Sequence, residues 1–182
     1  MYNSVKEASM KRTVFKAFII IVAIASMGAS QGDIERHPNC TYCGMDRQIF
    51  SHSRMYIEYD DGTSVGFCSL HCAALDLALM IDKTPKSIMV ADYESKKLID
   101  AENAIWVIGG SKPGVMSKRA KWAFENKNDA EAFIKENSGV ISTFDEAIKS
   151  AYEDMYEDSK MIREKRKMNK KKTAMGSPHQ GH

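Results

Sequence analysis

The feature that most limits how this 182-residue chain can fold is a pair of cysteine pairs. Two residues separate Cys40 from Cys43, three separate Cys68 from Cys72, and 24 lie between the pairs. A two-residue gap lets one tight turn present two thiolates to a single ion, and a three-residue gap does the same from the first turn of a helix. The positive end of a helix also favours the thiolate over the thiol. The chain must therefore bring a loop near residue 40 onto a strand-to-helix junction near residue 70.

Several chemistries use such a set. Two structural disulfides, a structural four-thiolate zinc site, a thioredoxin-type redox pair and a soft-metal site all fit the spacing. The neighbours favour Cu(I): Cys43-Gly-Met45 sets a thioether two residues from a thiolate, and His71 lies between the second pair. Cu(I) accepts thiolate, thioether and imidazole donors in low coordination numbers, whereas structural zinc gains nothing from methionine. His37, His52 and Met116 are further candidate donors, and Met175, His179 and His182 could bind copper weakly from the C-terminal end. Met55, Met80 and Met155 fall on apolar faces and read as core.

Residues 1–30 read as a secretory signal peptide. Lys6, Lys11, Arg12 and Lys16 precede an apolar stretch at 17–25, and small-x-small sites follow at Ala23-Ile-Ala25 and Gly28-Ala-Ser30. The apolar run at 17–29 is short for a membrane span, so cleavage and a periplasmic location are expected, with an N-terminal anchor as the alternative. In an oxidising compartment paired cysteines default to disulfides, so a metal site there must be loaded quickly or kept reduced.

The net charge of +2 conceals three blocks. Residues 1–30 carry +3 and residues 160–172 carry +7, which leaves the remainder at −8. An acidic body excludes a nucleic-acid-binding fold, which would present a basic face. The basic segment, residues 159–182, reads as a flexible tail.

Between the leader and that tail the periodicities predict an α+β fold. Residues 31–39 read as a loop, and Met55, Ile57 and Tyr59 alternate with polar neighbours as a strand. Asp60-Asp61-Gly62 makes a turn, explaining both aspartates, and residues 63–67 return as the second strand of a hairpin. A helix capped by Ser69 runs to about Asp82, and residues 87–93 form another strand. Strands at 104–109 and 121–125, a helix capped by Asn128 and a strand at 140–142 then repeat the order. The simplest reading is two tandem ββαβ-type units, about 40–100 and 101–158, within one domain at 31–158. Thr143 and Glu146 form a capping box for a helix at 144–158, whose face Phe144, Ile148, Ala151 and Met155 packs on the sheet. No nucleophile elbow, phosphate-cradling glycine loop or paired-acid motif stands out.

The run Cys40-Thr-Tyr-Cys-Gly-Met45, followed by Tyr59-Asp-Asp-Gly-Thr-Ser-Val-Gly-Phe-Cys-Ser-Leu-His-Cys72, resembles the NosL family of accessory copper proteins for nitrous oxide reductase. Trp106-Val-Ile-Gly-Gly, Pro113-Gly-Val-Met116, Trp122-Ala-Phe, Asp129-Ala-Glu-Ala-Phe133, Gly139 and Phe144-Asp-Glu146 keep the order that family shows, over about residues 37–150. The resemblance implies two ββαβ units, export and delivery of Cu(I) to an extracytoplasmic copper enzyme, with Cys43 and Met45 as its Cys-x-Met element. A copper-accepting enzyme such as nitrous oxide reductase, and a copper-donating or membrane transporter protein, are the partners it implies. Family members are typically anchored through a cysteine after the leader, which this sequence lacks. Phe67-Cys-Ser-Leu-His-Cys72 is similar to the second half of TRASH/YHS metal-trafficking domains, which implies Cys68 and Cys72 as added ligands.

The expected ligand set is Cys43 and Met45 with Cys40, Cys68, Cys72 or His71, the metal Cu(I) with Zn(II) as the alternative, and the protein not an enzyme. Two other readings compete. One is an interaction module stabilised by zinc or disulfides. The other is an enzyme like the organomercurial lyases, whose fold the ββαβ pairing resembles and which would need a held cysteine pair and an acid.

Overall fold

A computed structural model describes residues 32–175. The predicted leader and residues 176–182, with His179 and His182, lie outside the described residues. Among the described residues, no helix is long and apolar enough to cross a membrane.

The expected hairpin is formed by β1 (Met55–Tyr59) and β2 (Ser64–Phe67), with Met55 opposite Phe67 and Glu58 opposite Ser64. Asp61 closes its turn by accepting hydrogen bonds from the Thr63 amide and hydroxyl. α2 (Leu70–Leu79) then carries the chain over, and β3 (Pro85–Ala91) returns antiparallel on the other edge of β1. The short β4 (Leu98–Asp100) extends this sheet to the order β2-β1-β3-β4. The second half repeats the wiring with β5 (Ile105–Ile108), β6 (Lys121–Phe124), α3 (Lys127–Asn137) and β7 (Val140–Ser142), in the order β6-β5-β7. In both units the first strand is central, the second and third flank it antiparallel, and a helix links those two. The α+β class and the repeated strand, strand, helix, strand order are as the periodicities predict.

Asp92 joins the two halves. The chain after β3 forms a bridge with β6, the Tyr93 amide donating to the Ala123 carbonyl at 2.8 Å. One Asp92 oxygen accepts from the Ser95 amide at 2.7 Å and the other from the Glu125 amide at 2.9 Å. Those bonds outweigh the cost of burial and hold the Asp92 carboxyl below the usual aspartate range.

The first half, β5 and α4 (Phe144–Met175) share one core that includes Met55, Ile57, Phe67, Leu70, Val90 and Trp106. Phe144 and Ala151 are buried in it, with Ile148 and Met155 packed alongside, as the helical period predicts. The capping box is present: the Thr143 amide donates to Glu146 Oε2 at 2.9 Å and the Glu146 amide to Thr143 Oγ1 at 3.3 Å. A second core is aromatic, with Trp122, Phe124 and Phe133 around Tyr93.

Five local expectations need correction. Residues 32–36 form a helix, α1 (Gly32–Arg36), rather than a loop. It covers the outer face of β1, where Arg36 donates to the Tyr56 hydroxyl at 2.9 Å. β4 is a strand that three residues cannot announce by alternation. Ser69 stands at the start of α2 but makes no capping bond through its side chain. α3 begins after Asn126, not Asn128, because the Asp92 bond to Glu125 fixes the junction earlier. Finally, α4 runs for 32 residues to Met175, so residues 159–175 are helix where the charge run predicts a flexible tail. Lys, Arg, Glu and Met lose little side-chain freedom in a helix, and the basic residues suit its negative C-terminal end.

Candidate metal centre

The first cysteine pair sits in a tight knuckle that precedes β1. The Cys40 amide donates to the Met45 carbonyl at 2.8 Å and the Gly44 amide to the Cys40 carbonyl at 2.9 Å. Gly44 has φ +73°, a left-handed conformation that glycine adopts without steric cost. The amide and hydroxyl of Thr41 both donate to the Gly66 carbonyl on β2, laying the knuckle against the hairpin.

Buried polar groups hold the knuckle from both sides. Arg47, 0% exposed, donates to the carbonyls of Asp33, His37, Met55 and Phe67 and to the Asp33 carboxylate at 2.7 Å. Arg54 donates to the same carboxylate at 3.0 and 3.2 Å. On the far side, Asp76 of α2 accepts from the Tyr42 hydroxyl at 2.7 Å and from the Tyr59 hydroxyl. Both tyrosines are pushed well above their ordinary pKa by burial and by that carboxylate. Each buried charge is thus hydrogen-bonded, as burial requires.

The second pair comes from the β2–α2 junction, Cys68 ahead of the helix and Cys72 in its first turn. The four sulfurs lie within 4.8 Å of one another, with Cys43–Cys68 at 3.4 Å and Cys68–Cys72 at 3.9 Å. Four thiolates around one ion at metal–sulfur distances of about 2.3 Å would be about 3.8 Å apart, so the cage fits a soft metal with little rearrangement. All four are free thiols. Cys40, Cys68 and Cys72 are buried and Cys43 is half-buried.

Four sulfurs this close cannot all ionise without a cation among them. Cys40 is driven well below the ordinary thiol range by hydrogen bonds from Cys43, then Cys68 and Cys72. Cys43 is pushed up by its bond with Cys40, but bonds from Cys68 and Cys72 outweigh that and lower it. Cys68 and Cys72 are raised, above all by their hydrogen bonds to Cys40.

Cys43 also opens onto a cavity of about 570 Å³. Met45, His52 and the 113–117 loop with Met116 line it, and Met161, Lys165 and Arg166 of α4 close its far wall. Gly114 lets that loop turn, because a Cβ there would meet the Ser117 carbonyl oxygen at 2.6 Å. Arg166 reaches across to donate to the Cys43 carbonyl at 3.3 Å.

The structure thus brings Cys40, Cys43, Cys68 and Cys72 together and puts Met45 beside Cys43 at the cavity, with His52 and Met116 in its lining. His71 lies elsewhere: its Nδ1 faces Asp158 Oδ2 of α4 at 3.6 Å, and it is not part of the four-sulfur group. Adjacent helix residues project about 100° apart, so with Cys72 turned to the sulfur group His71 is directed to α4 instead. His37 is engaged with Ser64 Oγ at 3.0 Å. Met55 is buried in the core and Met80 and Met155 pack against it. The reading from sequence missed the α4 wall and the Asp33–Arg47–Arg54 cluster. A signal for the former existed, since Asp158, Met161 and Ile162 continue the i+3 and i+4 spacing of the preceding turns.

Comparison with known proteins places these features. A crystal structure of the copper chaperone NosL from Shewanella denitrificans is similar, at 27% identity and a TM-score of 0.48, over 59% of this chain and 87% of that one. No curated relative matches the chain. The NosL family model matches residues 31–152, which contain both ββαβ units and all four cysteines, and the chain therefore belongs to the NosL family.

Proposed function

We propose that the protein is an exported Cu(I)-binding metallochaperone that hands copper to an extracytoplasmic copper enzyme of the nitrous oxide reductase kind. The observation that carries this reading is Cys43, whose sulfur belongs to the four-thiol group while its residue borders a cavity shared with Met45 and Met116. A purely structural site closes all its ligands away from solvent, whereas a delivery site must let an acceptor's donor approach. Cys43 and Met45 would hold the ion at the open side, with Cys40, Cys68 and Cys72 behind them. The acceptor's soft donor enters from the cavity, adds to the coordination sphere, and one ligand of this chain leaves. His71 is left out of this set, because it is not among the groups that converge on the four sulfurs and its Nδ1 faces Asp158 at 3.6 Å. Family membership supports the choice of metal.

A second reading has its own support: four sulfurs at near-tetrahedral separations, three of them buried, also suit a structural Zn(II). Anaerobic titration of the reduced protein with Cu(I) against a chromophoric chelator, with Zn(II) in parallel, separates the two. One-to-one Cu(I) binding weakened about tenfold or more by Met45→Ala is the expected result. Zinc binding that outcompetes copper and ignores Met45→Ala would replace the chaperone with a structural knuckle.

A further inference from the structure

The wall of the cavity opposite Cys43 comes from residues outside the span matched by the family model, which ends at 152. Met161 lies in that wall, and with it the cavity gathers one thiol and three thioethers from three separate parts of the chain: Cys43 and Met45, Met116, and Met161. We propose that α4 supplies Met161 as an additional soft donor to the ion held at Cys43, so that the helix is part of the metal site. This inference rests on the metallochaperone reading above.

Three features argue for it. Met161 is half-buried, whereas every described residue from 163 onward on α4 is exposed, so among the methionines of the helix that line the cavity it is the one packed against the body. Its turn is fixed on both sides: three residues earlier, Asp158 accepts from the Lys118 amide at 2.8 Å, and five residues later Arg166 donates to the Cys43 carbonyl. Protonated Lys165 and Arg166 have no lone pair to give, so the donor atoms α4 offers to the cavity are the Met161 sulfur and the Asn169 amide oxygen, and a soft ion selects the sulfur. Met168, seven residues on along the same helix, is 53% exposed and does not line the cavity, which makes it an internal control.

The test is Ag(I), a redox-inert soft ion, added to the reduced full chain with its methionine ε-methyl groups carbon-13 labelled. Met45→Leu, Met161→Leu and Met168→Leu assign the signals. At one equivalent the Met45 and Met161 methyls are expected to shift while Met168 does not. Cu(I) affinity is expected to fall about tenfold in Met161→Leu, equivalent to about 1.4 kcal/mol, with Met168→Leu and Zn(II) binding unchanged. Leucine matches methionine in bulk, so the helix stays packed. A shift of Met45 with Met161 unmoved would overturn the inference and leave the chaperone reading standing. If neither methyl moved, the cavity would not be the metal site and both would fall.

Discussion

The two ββαβ units share their wiring but differ in what their junctions hold. In the first, the strand-to-helix junction carries Cys68 and Cys72, and the loop between its central strands is a tight turn. In the second, the equivalent junction carries Glu125 and Asn126, and the loop between β5 and β6 is long enough to reach across and line the cavity beside Cys43 with residues 113–117. Their interiors differ as well. Ion pairs and buried hydrogen bonds centred on Asp33, Arg47 and Asp76 brace the first, whereas tilted and edge-to-face aromatic rings fill the second. One unit is braced to hold ligands at fixed separations and the other to shield them. The fold supplies positions for both tasks without dictating either.

The largest effect expected from this contrast is at Arg47. Arg47→Ala would leave the Asp33 carboxylate and four carbonyls short of a buried donor, a loss of about 3–5 kcal/mol. Hydrogen exchange should then speed up in α2 and β1 before α3. Equal acceleration everywhere would mean that the units unfold as one and that the division is only topological.

Next in size is the joint between them. Asp92→Ala removes two buried acceptors and should cost about 1–3 kcal/mol in urea denaturation. The sign with pH follows from its depressed carboxyl. Its stabilisation is fully present above the unfolded pKa of about 3.9 and is lost as pH falls through the lower folded value, so wild type and variant should converge in acid. A stability gap unchanged down to pH 2 would show that the carboxylate charge contributes nothing at the joint.

The smallest effect concerns α4, which packs on both α2 and β5 and so belongs to neither unit alone. Thr143→Ala breaks the capping box and should lower stability by about 1 kcal/mol, read as the thermal midpoint, with Cu(I) affinity unchanged. A loss of affinity instead would couple the start of the helix to the cavity at Met161.

The strands, both principal helices of the repeat and the sulfur group could be read from the chain because each rests on a short-range rule. Alternation marks β1, spacing places Cys68 and Cys72 on one helical face, and Thr143 with Glu146 announces α4. What could not be read depends on distant partners. α1 matters because Asp33 meets Arg47 and Arg54, and nothing in Gly32–Arg36 signals a buried carboxylate. His71 reads as a ligand beside two cysteines until Asp158, far along the chain, is seen to face it. The extension of α4 was obscured by its own charge, since a dense basic run fits a solvated coil and a solvated helix equally.

The position of Met161 and Arg166 late in the chain sets an order of assembly. Every strand of the first sheet and all four thiols lie before residue 101, so a chain emerging from its N-terminus has the whole cage in hand before α4 exists. Until the last helix arrives, the side of Cys43 that it later walls stands open to solvent, so the four thiols meet their surroundings first through a wider opening than the finished fold leaves them.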